Sequence, residues 1–104
     1  MSDNINEVIK SQIDNNKVIL YMKGSKEMPM CGFSARVVEI LSSYETDFET
    51  VDVLLDENIR QGIKDYSNWP TIPQLYVNGQ FVGGCDICVE MHNSGELEPL
   101  VKST

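Results

Sequence analysis

The chain has 104 residues, 41% hydrophobic, with 16 acidic side chains against 8 basic ones and a formal net charge of −8. The hydrophobic share is enough for one core and unlike that of disordered sequences, so a single domain over residues 1–104 is expected. The acidic balance argues against nucleic acid or an anionic membrane as partner, because both call for a basic face.

In chain order, Ile5, Val8, Ile9 and Ile13 recur at helical spacing and predict an amphipathic first helix, with Asp3 or Asn4 available as its N-cap. "KVILYMK" at 17–23 is a short continuous apolar run rich in β-formers, the pattern of a buried strand. Residues 24–30 read as a loop. Phe33, Val37, Ile40 and Leu41 then mark a second helix, "FETVDV" at 48–53 a second strand, and Ile59, Ile63 and Tyr66 a third helix that Gly62 weakens. "IPQLYVNGQFVGG" predicts a hairpin, since Asn78-Gly79 suits a type I′ turn whose two central residues need positive φ. A fourth helix is expected from about Asp86 to Ser94, closed by Gly95, and "ELEPLVK" adds a last turn. The order α-β-α-β-α-β-β-α-α gives an α/β fold, a mixed four-stranded sheet with helices on both faces.

No apolar run approaches the roughly 18–20 residues of a membrane span. "MSDNINEVIK" shows no basic, apolar and small-residue leader pattern. Three cysteines are too few for a secreted disulfide scaffold, and their spacing is not that of a four-ligand zinc site. Reduced thiols and a cytoplasmic location are the expectation.

The chemistry concentrates in three stretches. In "MCGFS", Cys31 precedes a helix start, where free amides lower a thiol's pKa, and Gly32 lets a ligand approach the backbone. Lys23, at the end of the preceding strand, adds a positive charge. The alternative is a buried, inert cysteine. Ser34 stands where a two-cysteine redox motif has its second thiol, so Cys31 can form a mixed disulfide or ligate a metal but cannot close a C-x-x-C disulfide.

In "NWPTIPQLYVNG", Pro73 sits just before a strand. Only about 5–6% of X–Pro bonds in folded proteins are cis, so the residues alone favour a trans proline opening an edge strand. A cis bond would leave the Ile72 backbone free to pair with a peptide-like ligand. Trp69 reads as a packing residue that fixes the loop holding Thr71 and Pro73.

In "VGGCDICVEM", Gly83-Gly84 ahead of a helix leaves its first amides open to a carboxylate, and Asp86 can cap the helix or accept from an ammonium group. Cys85 and Cys88 also spell C-x-x-C, but Cys88 falls on the face of Ile87, Met91 and Leu97, as a small core residue does. Arg60 and Lys64 are further candidate anion contacts, and His92 reads as neither ligand nor base.

Taken together and in this order, "CGFS" at 31–34, "WPTIPQLYVNG" at 69–79 and "GGCD" at 83–86, with "MKG" ahead and "IRQGIKDYSNWPT" between, resemble the monothiol glutaredoxins of the CGFS class, which have the thioredoxin-like fold. The resemblance implies glutathione and a bridging [2Fe–2S] cluster as cofactors, with Cys31 as the catalytic thiol and metal ligand. It implies that Lys23 and Arg60 meet the glycine carboxylate of glutathione. Ile72, before a cis Pro73, pairs with the cysteinyl backbone, and Cys85 and Asp86 hold the γ-glutamyl end. Gly32, Phe33, Ser34, Trp69, Thr71, Pro73, Gly83 and Gly84 support the site. Cys88 stands where the family more often has an aliphatic residue. The fold also implies that Cys31 and Cys85 are near enough to form a disulfide in the apo protein.

A [2Fe–2S] cluster takes four ligands. One exposed thiolate per chain therefore implies a cluster-bridged homodimer completed by two glutathione thiols. Three functions follow from the resemblance. The first is delivery of the cluster to iron–sulfur acceptor proteins. The second is glutathione-dependent monothiol oxidoreductase activity, which the longer "SKEMP" loop lowers. The third is iron sensing with a BolA-like partner.

Overall fold

A computed structural model describes residues 2–102. The elements are α1 (Ser2–Asp14), β1 (Val18–Met22), α2 (Gly32–Ser43), β2 (Glu49–Asp52), a 3₁₀ turn (Val53–Leu55), α3 (Glu57–Ser67), β3 (Gln74–Val77), β4 (Gln80–Gly83), α4 (Cys85–Ser94) and α5 (Leu97–Lys102). The sheet order is β2-β1-β3-β4. β1 runs parallel to β2, across the helical crossover, and antiparallel to β3, while β3 and β4 form the hairpin. Asn78 and Gly79 carry the positive φ values, 53° and 81°, that the turn requires.

β1 and β3 are central and buried along their whole lengths, which is why β1 reads as an unbroken apolar run. The period-2 alternation of β1 feeds two separate cores. Val18, Leu20 and Met22 join Val37, Ile40 and Leu41 of α2, Cys88 of α4, and Leu97 and Val101 of α5. Ile19 and Tyr21 face the other way, toward Ile9 and Ile13 of α1, Ile59 and Ile63 of α3, and Tyr76. The Tyr44 hydroxyl and His92 Nδ1 lie 2.5 Å apart and tie the ends of α2 and α4 together, which gives the single histidine a structural partner.

The structure corrects several expectations. α1 already begins at Ser2, so Asp3 and Asn4 lie inside its first turn and not at its cap. Phe33, counted on the apolar stripe of α2, is 62% exposed and lines a surface cleft instead of the core. Asp86 is in the first turn of α4, whose N-cap is Gly84. Ile87 is likewise outside the core and half-exposed. The Ile72–Pro73 peptide is cis, against the expectation from the residues alone and in line with the resemblance.

Gly62, read as a weak point of α3, is a packing requirement. A Cβ there would collide with Ile5 Cγ2 and lie 3.0 Å from Ile9 Cδ1, so the absence of a side chain lets α1 and α3 close on each other. Gly62→Ala should therefore destabilise the fold by about 1–3 kcal/mol despite alanine's better helix propensity. The check is a lower urea midpoint with an unchanged slope; an equal or higher midpoint would show that the two helices have room to part.

Candidate functional site

β1, α2, the 69–73 loop and the start of α4 converge on one cleft of about 460 Å³. Its lining includes Lys23, Cys31, Phe33, Lys64, Ile72, Cys85 and Asp86.

Cys31 is the N-cap of α2, with extended backbone and no side-chain capping bond. A helix start leaves its first amides without intrahelical partners. Here those amides meet sulfur. The Ser34 backbone N–H does most to hold the Cys31 thiol below its ordinary pKa. The Phe33 N–H, the Lys23 charge and the Ser34 hydroxyl add to it, against an opposing push from partial burial. Ser34 is fully buried, and its Oγ accepts the Lys23 N–H at 3.1 Å, which pins the end of β1 to the first turn of α2.

The 24–30 loop is tied down at its start. The Gly24 and Leu54 amides each donate to Asp52 Oδ1 at 2.9 Å. Lys26 Nζ donates to the Phe48 carbonyl at 2.6 Å and sits 4.2 Å from the centre of that ring. The loop presents Met28 and Met30 to solvent just ahead of Cys31, at 69% and 64% exposure.

The opposite wall is the 69–73 loop. The Ile72 side chain is buried in the α1–α3 core, while no hydrogen bond engages its N–H or C=O among the described residues. Gly84 brings α4 against this wall: a Cβ there would stand 3.2 Å from the Pro73 carbonyl and 3.6 Å from Trp69 Nε1. Gly84 also leaves the first amides of α4 without a side-chain cap, as its sequence suggested. Trp69 packs on Phe81, ring centres 5.9 Å apart, with part of its face in the cleft.

The three cysteines differ by environment. Cys85 shares the cleft with Cys31, yet burial, then Asp86, raises its pKa. Cys88 is completely buried, and burial pushes its thiol up to about 12. The Cys85/Cys88 pair thus splits between cleft and core. Among the described residues no group of three or more His, Cys, Asp or Glu side chains could hold a metal ion.

Comparison with known proteins agrees with this arrangement. The family model described as glutaredoxin matches residues 18–82. The chain belongs to the glutaredoxin family. It is 56% identical to the monothiol glutaredoxin ycf64 of Porphyra purpurea over 97 residues, covering 93% of this chain and 91% of that one. The solution structure of reduced poplar apo GrxS14 superposes with a TM-score of 0.82 at 50% identity, covering 94% and 90% of the two chains. A buckwheat glutaredoxin–glutathione complex shares the fold, with a TM-score of 0.85 at 19% identity over 96% and 89%. The fold is the thioredoxin-like one, and the class is monothiol.

In this glutaredoxin the cleft brings together Lys23, Cys31, Phe33, Trp69, Thr71, Ile72, Pro73, Gly84, Cys85 and Asp86. Gly32 and Ser34 support it from the first turn of α2, and Gly83 ends β4 beside it. Arg60 is not in the lining. Its guanidinium reaches Glu57 at 3.7 Å, and Lys64, one turn further along α3, takes the place in the wall. The sequence offers both cations as anion contacts, and of the two it is Lys64 that lines the cleft.

Alkylation by iodoacetamide as a function of pH separates the two cleft thiols. Only the thiolate reacts, so Cys31 should turn reactive at a lower pH than the thiols of the urea-unfolded chain, which titrate near about 8.5, and Cys85 at a higher one. Coincident profiles in the folded protein would refute the electrostatic account of the site.

Proposed function

We propose that this glutaredoxin binds glutathione in the Cys31 cleft and carries a [2Fe–2S] cluster, held between two protomers, to acceptor proteins. The observation behind this reading is the pairing of one accessible, acidified thiol with the lack of any three-ligand group among the described residues. A cluster needs four ligands, so one such chain supplies one and the rest come from elsewhere. Two Cys31 thiolates and two glutathione thiols complete the set.

Glutathione suits the cleft by charge and by shape. Lys23 and Lys64 stand on the wall where a carboxylate would bind, with Arg60 one turn behind. The unpaired Ile72 backbone can form strand-like bonds with a cysteinyl residue, and the open amides of α4 with Asp86 suit the α-carboxylate and ammonium of a γ-glutamyl end. The buckwheat relative solved with glutathione supports the same ligand on the same fold. Cys31 and the diffusible glutathiones lie at an open mouth, so the cargo can leave by ligand exchange, as a carrier in a reducing cytoplasm requires. The same Cys31 face is where a BolA-like protein would replace one protomer.

The acidified thiol also supports a second reading, monothiol oxidoreduction. The Cys31 thiolate attacks the glutathionyl sulfur of a mixed disulfide, expels the target thiolate and becomes glutathionylated. A second glutathione thiolate then frees Cys31 and leaves as glutathione disulfide. This cycle needs no second protein thiol, so Ser34 does not block it.

Anaerobic reconstitution with iron, sulfide and glutathione, followed by visible absorption, tests the carrier reading. Cys31→Ser should abolish the cluster bands and Cys88→Ala should retain them; a full spectrum from Cys31→Ser would sink the assignment. Removing Lys23 or Lys64 should raise the glutathione concentration needed for assembly by about tenfold, the loss of one charge-assisted contact. Size-exclusion chromatography should find a monomer without cluster, a dimer with it, and a return to monomer on chelation. A tight dimer in the metal-free, reduced protein would contradict a cluster-dependent assembly.

A further inference from the structure

Gln74 is the one glutamine of this chain buried without any exposure, set among apolar residues at the first position of β3. An amide removed from water is costly unless its hydrogen-bonding groups are met, so its partners indicate what it does. Nε2 donates to the Trp69 carbonyl and to the Thr71 carbonyl, both at 3.1 Å. Carbonyls only accept, so the amide orientation is fixed by chemistry: NH₂ toward the loop, oxygen toward the sheet. Oε1 accepts from the Tyr76 hydroxyl at 3.2 Å. Tyr76 is itself held by ring contacts with Tyr21, Tyr66 and Phe81.

The two carbonyls belong to the stretch of loop that leads into Ile72. Trp69 is gripped from its other side as well, its N–H donating to the Lys64 carbonyl at 3.1 Å. Trp69 and Thr71 are exposed residues, but their carbonyls turn inward to a side chain with no exposure of its own. Both hydrogens of the amide are thus given to the loop. What it adds is a fixed course for the chain between Trp69 and Pro73, where Ile72 keeps its side chain in the core and its N–H and C=O unengaged.

We propose that Gln74 is a positioning residue for peptide recognition: its buried amide holds the 69–73 wall so that the Ile72 backbone meets a glutathione-type peptide thiol in one set orientation. Gln74 does not touch the ligand. It acts through Ile72, and its effect is on binding, by sparing the ligand the ordering of that wall. The inference rests on the glutathione reading above.

The test is an amide-resolved NMR titration of the reduced, metal-free protein with reduced glutathione. Gln74→Met keeps the length and apolar volume of the side chain and removes all three hydrogen bonds. Gln74→Glu keeps the shape and an oxygen for Tyr76 but turns a second oxygen toward the two carbonyls, and it serves if the methionine variant folds poorly. Each variant should raise the half-saturating glutathione concentration by about tenfold, while the Cys31 alkylation rate stays at the parent value. The Trp69 amide, bonded to the Lys64 carbonyl, should lose hydrogen-exchange protection and the α1–α3 core amides should keep theirs. A purely structural residue would lower thermal stability and leave half-saturation where it was, and that result in either variant would overturn the proposal. A parent protein that does not respond to glutathione would overturn the glutathione reading and this inference together; a responsive parent with equally responsive variants would overturn the inference alone.

Discussion

The site depends on a helix that starts without a capping oxygen. At α3, Asp56 accepts the Asn58 and Ile59 amides, and the helix N-terminus is closed to anything else. At α2 the same place is occupied by Cys31, whose side chain makes no cap bond. The amides of Phe33 and Ser34 are left facing a sulfur that they stabilise best when it is ionised. Substituting a serine or aspartate cap would make a better helix and remove the thiol chemistry. Ser34 fastens this start to the sheet through the Lys23 amide, so the thiol, the cation and the first turn of α2 move as one unit. α4 repeats the device with Gly84, where openness to a ligand again takes precedence over capping.

Burial then divides the cysteines without any further motif. The sulfur at a helix start is acidified, the one a turn inside α4 is fully enclosed and stays protonated, and Cys85 lies between them in a cleft shared with Asp86. A thiolate is nucleophile and ligand where a thiol is neither. The spacing of Cys85 and Cys88 therefore has no bearing on their chemistry: three residues along a helix carry the side chain from the cleft into the α2–α4 core.

What could be read from the residues follows the range of the physics involved. Local rules were sufficient for β1, whose unbroken apolar run means burial on two faces, and for the Asn78-Gly79 turn, whose φ values only a few residues tolerate. They were sufficient for Cys31 because a helix dipole and its free amides belong to the adjacent turn. They failed where the deciding neighbour is distant in sequence. Gly62 is explained by Ile5 on another helix, and Phe33 has apolar periodicity but lines the cleft instead of the core. Gln74 reads as an ordinary polar strand residue until Trp69, Thr71 and Tyr76 are placed around it. Motif resemblance gave the cis Ile72–Pro73 peptide that frequency alone misread, since its geometry is set by the whole loop and not by the two residues.

The charge distribution carries the last step. A chain with net charge −8 ought to repel an anionic peptide, and at long range it does. The Debye length at physiological ionic strength is about 8 Å, so acidic side chains across the surface are largely screened from the cleft. Within that distance the cleft has Lys23 and Lys64 on its walls and the uncapped amides of two helices pointing into it. Asp86 is the lining carboxylate, and it stands at the α4 end, where a γ-glutamyl ammonium would meet it. On the glutathione reading, a dipolar, net-anionic peptide would be oriented by the cleft as well as held by it, its cationic end toward α4 and a carboxylate toward the lysines.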